Sequence, residues 1–109
     1  MIVRSFHATA TAEGADAYRE HFVRSVLPGL ERIEGYRGAY LLRRDHDSQV
    51  ELQVLTLWDS LKGIIRFTGR DMGRAVVDLT ARTVLSTYDP IVTHHEVVVD
   101  TVNPTNRPG

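Results

Sequence analysis

The chain has 109 residues, enough for one domain with a single core, yet small enough that association would help it to bury apolar surface. Hydrophobic residues make up 42% and charged residues 25%, as in ordinary globular proteins, and 13 basic against 14 acidic residues give a net charge of −1, which sets up no field for nucleic acid or an anionic membrane. With no cysteine, disulfides, thiolate catalysis and cysteine-ligated metals are excluded; no signal-like segment or apolar run of membrane-spanning length is visible, so the expectation is a cytoplasmic protein.

Residues 2 to 10 alternate in polarity with branched and aromatic residues, which predicts a half-buried strand. From about Ala12 the period changes, and Ala15, Tyr18, Phe22, Val26, Leu30 and Ile33 recur at steps of three and four along one helical stripe. The helix is expected to end near Glu34 and Gly35 and to show a bend or a broken turn at Pro28, which lacks a backbone donor. Tyr36 to Arg44 reads as a second strand, which turns through Asp45, His46, Asp47 and Ser48 into a third at about Gln49 to Trp58. Ser60 is placed to cap a short helix with Leu61, Ile64 and Ile65 inward, ended by Gly69. Asp71 is placed to cap another, with Met72, Ala75, Val76 and Leu79 on its apolar face, running to about Ser86 before Asp89-Pro90 breaks it. Residues 91 to 100 form the last strand. The expected domain is therefore 1–100, with residues 101–109, rich in proline and asparagine, as a tail or arm.

The order βαββ(αα)β suggests an α+β protein of ferredoxin-like layout, an antiparallel four-stranded sheet with its helices on one face. Three stretches add a resemblance: Leu52-Gln53-Val54-Leu55-Thr56-Leu57-Trp58-Asp59-Ser60, preceded by Gly35-Tyr36-Arg37-Gly38-Ala39-Tyr40 and followed by Asp89-Pro90-Ile91-Val92-Thr93-His94-His95-Glu96-Val97. Together they resemble the antibiotic-biosynthesis-monooxygenase-like proteins of the dimeric α+β barrel superfamily, over roughly residues 2 to 99. The resemblance implies that the first strand lies between the third and the fourth, and that a second subunit covers the sheet face away from the helices.

Strand alternation then sorts the side chains. Leu52, Val54, Thr56 and Trp58 share the drier face of the third strand, and antiparallel pairing with the first puts Trp58 near Ile2, Thr56 near Arg4 and Val54 near Phe6. Arg4, Phe6 and Trp58 are thus expected to line one cleft on the helical side. Trp58 there either stacks a flat aromatic ligand or is simply the largest core residue, with its N–H satisfied by a backbone group. On the last strand the drier set of Ile91, His95, Val97 and Val99 is assigned to the helical side, which turns His94 and Glu96 to the other face and brings His7 close to His94. Phe22, Val54, Ile65, Val76 and His95 complete the candidate lining. His94 matches the histidine that precedes the Glu-Val ending in the resembling family; it is read either as a general base or orienting donor, or as an interface histidine bonded to Glu96. Leu55, Leu57, Val92 and Val98 fall on the uncovered face, so a homodimer burying Leu55, Leu57 and Val98 is expected.

No metal is expected, because the adjacent His94 and His95 point to opposite faces of a strand, and Asp45, His46 and Asp47 are accounted for by the turn. Arg43 and Arg44 read as solvated or interface charges. Gly29, Gly35 and Gly38 form no phosphate-binding loop, so no nucleotide or flavin is implied. The resemblance implies a cofactor-free monooxygenase acting on a small aromatic, a phenol or quinol of polyketide type, which needs a dry pocket, a base and fixed donors; Arg4 and a histidine supply such groups. Haem-degrading relatives place an asparagine on the first strand and a histidine on the helix after the tryptophan strand, where this chain has Phe6 and apolar residues such as Val76. Relatives acting on aromatic polyketides carry an asparagine where this chain has Val54. A cyclase or isomerase on the same scaffold, or a non-catalytic dimeric ligand-binding or stress-related protein, are the alternative readings.

Overall fold

A computed structural model of the protein describes residues 1–102; the rest of the expected tail, residues 103–109, lies outside the described residues. The first strand, β1 (Ile2–Ala10), is followed by α1 (Ala12–His21), a π-helical turn (Phe22–Val26) and α2 (Leu27–Glu31). Thr11 caps α1, its hydroxyl accepting the Gly14 N–H at 3.0 Å. Pro28 has the physical effect expected of it: the chain widens upstream, the Leu27 N–H bonds the Phe22 carbonyl five residues back, and proline then stands in the first turn of α2, where a donor is not needed. Gly35, at φ +95°, turns the chain into the next strand.

The hairpin of β2 (Tyr36–His46) and β3 (Gln49–Trp58) closes through Asp47 and Ser48, with Asp47 at φ +54°. That region tolerates aspartate well. The helix α3 (Leu61–Thr68) ends on Gly69 as expected, but only part of its inward set is buried. Ile64 is fully buried, whereas Leu61 and Ile65 are each 44% exposed. Gly63 explains the rotation: with no side chain, it lets α3 lie directly on the Trp58 ring and the Glu34 carbonyl, which turns residues 61 and 65 outward.

The second helix of this region differs more. Residues 70–78 are not helical, and α4 is the short Leu79–Val84, capped by Asp78 rather than Asp71, with Asp78 Oδ1 accepting the Ala81 N–H at 2.8 Å. The apolar spacing at Met72, Ala75, Val76 and Leu79 suits a helix, but the backbone is held by the next segment instead. Ala75 N–H donates to the Pro90 carbonyl and Val92 N–H to the Gly73 carbonyl, both at 2.8 Å. Leu79 is left 77% exposed.

The last strand is divided into β4 (Thr87–Tyr88) and β5 (Thr93–Glu96), both antiparallel to β1. The sheet is therefore five-stranded, in the order β2-β3-β1-β4 with β5 also on β1, and the α+β architecture with helices on one face holds. The core lies between that face and the helices. Ala8, Ala10, Val50, Leu52, Val54 and Trp58 from the sheet meet Ala15, Tyr18, Phe22, Leu30 and Ile64. Among the described residues no helix is long and apolar enough to cross a membrane.

Candidate functional site

The register of β1 against β3 pairs Ile2 with Trp58, Arg4 with Thr56 and Phe6 with Val54, as strand alternation predicts. Directly opposed residues share a face, so this register alone sets Arg4 beside Thr56 under the helices. Around them Phe6, Phe22, Val54, Val76 and Val92 form an apolar cleft of about 50 Å3, to which Tyr18 and Phe67 add aromatic walls. Burial pushes the Tyr18 phenol up to about 12, with Asp78 adding to the effect, so it is a neutral hydroxyl at neutral pH.

Among the described residues Arg4 is the one charged group lining this cleft, and it is 4% exposed. Its guanidinium donates to the Met72 carbonyl and, at 2.7 Å, to the Arg74 carbonyl, and it lies 5.7 Å over the Phe67 ring. No carboxylate pairs with it among the described residues. Burial pulls its pKa down to about 10, still well above neutrality, so the cleft holds a cation balanced only by carbonyl dipoles.

His94 stands on the other side of that cation, with Nε2 3.1 Å from Arg4 Nη1. A guanidinium only donates, so Nε2 accepts and the proton of the neutral ring sits on Nδ1. Burial first, then Arg4 and His95, hold the imidazole below its ordinary pKa. It does not line the cleft itself; Arg4 intervenes.

This placement corrects the last strand. His94 opposes Arg4, and His95 opposes Val3, whereas the expected register set His94 opposite His7. The slide is three residues (7 − 4), and an odd slide turns every side chain over. Val92 and His94 therefore face the helices, His95 is exposed on the far side, and the His7–His94 pair does not form. His7 instead opposes Gln53, and its carbonyl accepts the Asp89 N–H at 3.0 Å. The cause is the interruption at Asp89 to Val92, where the chain bonds to residues 73–75 before rejoining β1.

Trp58 also sits differently from the expected cleft wall. It is fully buried beneath the cleft, stacked on Phe67 at 5.8 Å and edge-on to Tyr36 at 5.6 Å. Its Nε1–H donates to the Thr56 hydroxyl at 2.8 Å, a side chain rather than a backbone group. Of the remaining candidates, Phe6, Phe22, Val54 and Val76 line the cleft, and Ile65 does not. Thr56, Tyr18 and Phe67 complete it without having been singled out; the available signal for Thr56 was its place two residues before the tryptophan on the same strand face. Larger grooves, of about 500 and 510 Å3, are open and flank the sheet at His7, Leu42 and Gln53 and at Tyr40, Leu57 and Val97. Neither gathers a buried charge. Among the described residues no three His, Asp or Glu side chains are grouped to hold a metal.

Comparison with solved structures bears on the fold. A candidate antibiotic biosynthesis monooxygenase from Deinococcus radiodurans superposes with a TM-score of 0.61 at 16% identity, over 94% of this chain and 97% of its own. Another from Bacillus cereus gives 0.65 at 12% identity, over 94% and 97%. SnoaB, a cofactor-independent oxygenase from Streptomyces nogalater, gives 0.61 at 10% identity, over 94% and 98%. The chain has their fold. No protein-family model matches the sequence, and no curated protein matches it either. At these identities the likeness concerns architecture, and the chemistry has to be argued from the cleft itself.

Proposed function

We propose that the protein is a cofactor-independent monooxygenase acting on a small aromatic, a phenol or quinol of polyketide type. The observation that carries this reading is the buried Arg4 guanidinium, without a carboxylate partner among the described residues, at an otherwise apolar cleft. Such a cation stabilises a phenolate far better than it would in water, because low-dielectric walls strengthen the attraction. A phenol whose oxygen displaces the Arg4–His94 contact gives its proton to Nε2 of an imidazole that is neutral at pH 7, and leaves its negative charge on Arg4. The electron-rich ring then reacts with oxygen. For a phenol with a free para position the balance is phenol plus O2 to quinone plus water: one oxygen atom enters the ring, the other leaves as water, and all four electrons come from the substrate.

The ring needs more room than the cleft now offers. A dry cavity of about 150 Å3 takes a benzene molecule, against about 50 Å3 here. Val76, on the irregular segment over the cleft and 53% exposed, is the wall that has least packing to lose by moving. The reading also includes a homodimer through the bare sheet face, where Tyr40 and Leu42 are exposed beside the half-buried Leu55 and Leu57. Val98 leaves this set with the turned-over last strand, and Val97 and Val99 border the groove at Tyr40 and Leu57 instead.

An oxygen electrode with a series of naphthols and phenols tests the activity. The expected result is one O2 consumed per quinone formed, without peroxide, and loss of turnover in Arg4→Met. Aromatic binding without oxygen uptake would discard the monooxygenase and leave a cyclase, an isomerase or a ligand-binding protein. Sedimentation showing a monomer at micromolar concentration would remove the dimer.

A further inference from the structure

We infer that Thr56 is a second donor of the cleft, aimed at an anionic ligand oxygen beside Arg4, and that Trp58 is the positioning residue that fixes it in that role. The inference rests on the proposed binding of a phenol-type ligand in this cleft and assigns the groups that recognise its oxygen.

The argument is one of hydrogen-bond inventory. An indole N–H can only donate, so the 2.8 Å bond from Trp58 Nε1 occupies a lone pair of the Thr56 hydroxyl and leaves its proton to be given elsewhere. That proton has no acceptor among the described residues, although Thr56 is only 5% exposed. A buried donor without an acceptor is costly. Thr56 lines the cleft, which offers open volume beside it. A space of about 50 Å3 admits a water-sized oxygen there, which the ligand's own oxygen replaces.

Arg4 is directly opposite on β1 and lines the same space. Its Nε–H makes no bond among the described residues, so the two opposed side chains each bring a spare N–H or O–H to one apolar cleft. Two donors and no carboxylate select an oxyanion: a phenolate, or an enolate of similar shape. Trp58 cannot drift from its role, since Phe67, Tyr36 and Gly63 hold its ring on three sides. Without its N–H, the threonine hydroxyl would be free to turn and accept.

The test uses 4-nitrophenol, whose phenolate absorbs in the visible, and nitrobenzene as the analogue without the oxygen. Thr56→Val is nearly isosteric, and Thr56→Ser returns the hydroxyl. We expect Thr56→Val to weaken nitrophenolate binding about tenfold, to raise the pKa of the bound probe by about one unit, and to leave nitrobenzene binding unchanged. Thr56→Ser should restore both values to within about twofold. Trp58→Phe should move the bound-probe pKa in the same direction as Thr56→Val, by a smaller amount. An equal effect on both ligands, no effect on either, or no binding of nitrophenol to the native protein would overturn the donor role. A native-like pKa in Trp58→Phe would overturn the positioning role. A nitrophenolate preference that Thr56→Val abolishes, in a protein that consumes no oxygen with any phenol, would sink the monooxygenase reading and keep this one. Oxygen consumption with no response to Thr56→Val would do the reverse.

Discussion

Gly63→Ala puts the contact between α3 and the tryptophan strand to a test in which two effects compete. Within a helix, alanine is favoured over glycine by about 1 kcal/mol. Against this, a Cβ at Gly63 would lie 3.0 Å from Trp58 Cε3 and 3.1 Å from the Glu34 carbonyl oxygen. Carbon atoms prefer roughly 3.5 to 4.0 Å, so the new methyl arrives about half an ångström too close. Neither neighbour yields easily. Trp58 is fully buried between Phe67 and Tyr36, and the Glu34 carbonyl belongs to backbone anchored by the 2.8 Å bond from the Asp59 N–H to the Gly35 carbonyl. Overpacking of this kind costs about 1–3 kcal/mol. The expected net effect is a loss of about 1 kcal/mol, read as a Tm lowered by roughly 4–8 °C. Gly29→Ala is the control: this helical glycine is exposed, its Cβ would meet nothing within 4 Å, and it should gain about 0.5–1 kcal/mol. Thermal melts by circular dichroism, with the single tryptophan as a second probe, measure both. A Gly63→Ala protein as stable as Gly29→Ala would refute the account of how α3 seats on Trp58.

At Gly14 the same substitution should do more harm, because its Cβ would stand 2.4 Å from the Val84 carbonyl oxygen, where α1 meets the end of α4; a melting point no lower than that of Gly63→Ala would count against this contact. His94 supplies a pH signature. Its folded-state pKa is depressed, so its contribution to stability is fully present above the ordinary histidine value of about 6.5 and is lost as pH falls through the lower folded value. Urea midpoints should therefore drop from pH 7 to pH 5 more in the native protein than in His94→Gln, and equal slopes would mean that the imidazole is not held in the environment described.

Much of the fold was legible in the sequence because long elements carry redundant signals. The first and third strands each alternate over nine or ten residues, so their spans and buried faces followed from pattern; once the ferredoxin-like layout and the resemblance made them neighbours, matching their ends gave the register, including the opposition of Arg4 and Thr56. The interruption of the helix at Pro28, where a π-helical turn precedes the proline, and the stop at Gly69 followed from covalent chemistry that no packing can alter. Where the signal was short or shared, tertiary structure decided. Met72, Ala75, Val76 and Leu79 have helical spacing, but the backbone at Gly73 and Ala75 bonds to Pro90 and Val92, a partnership that depends on residues far along the chain. The same interruption set the last strand three residues from its expected register, and because strand side chains alternate, that odd offset placed His94 beside Arg4 and turned His95 away. The tryptophan's partner was decided in the same way: a sequence shows that an indole needs an acceptor, whereas only packed neighbours determine that the acceptor is the Thr56 hydroxyl, and so where the proton of that hydroxyl is left to point.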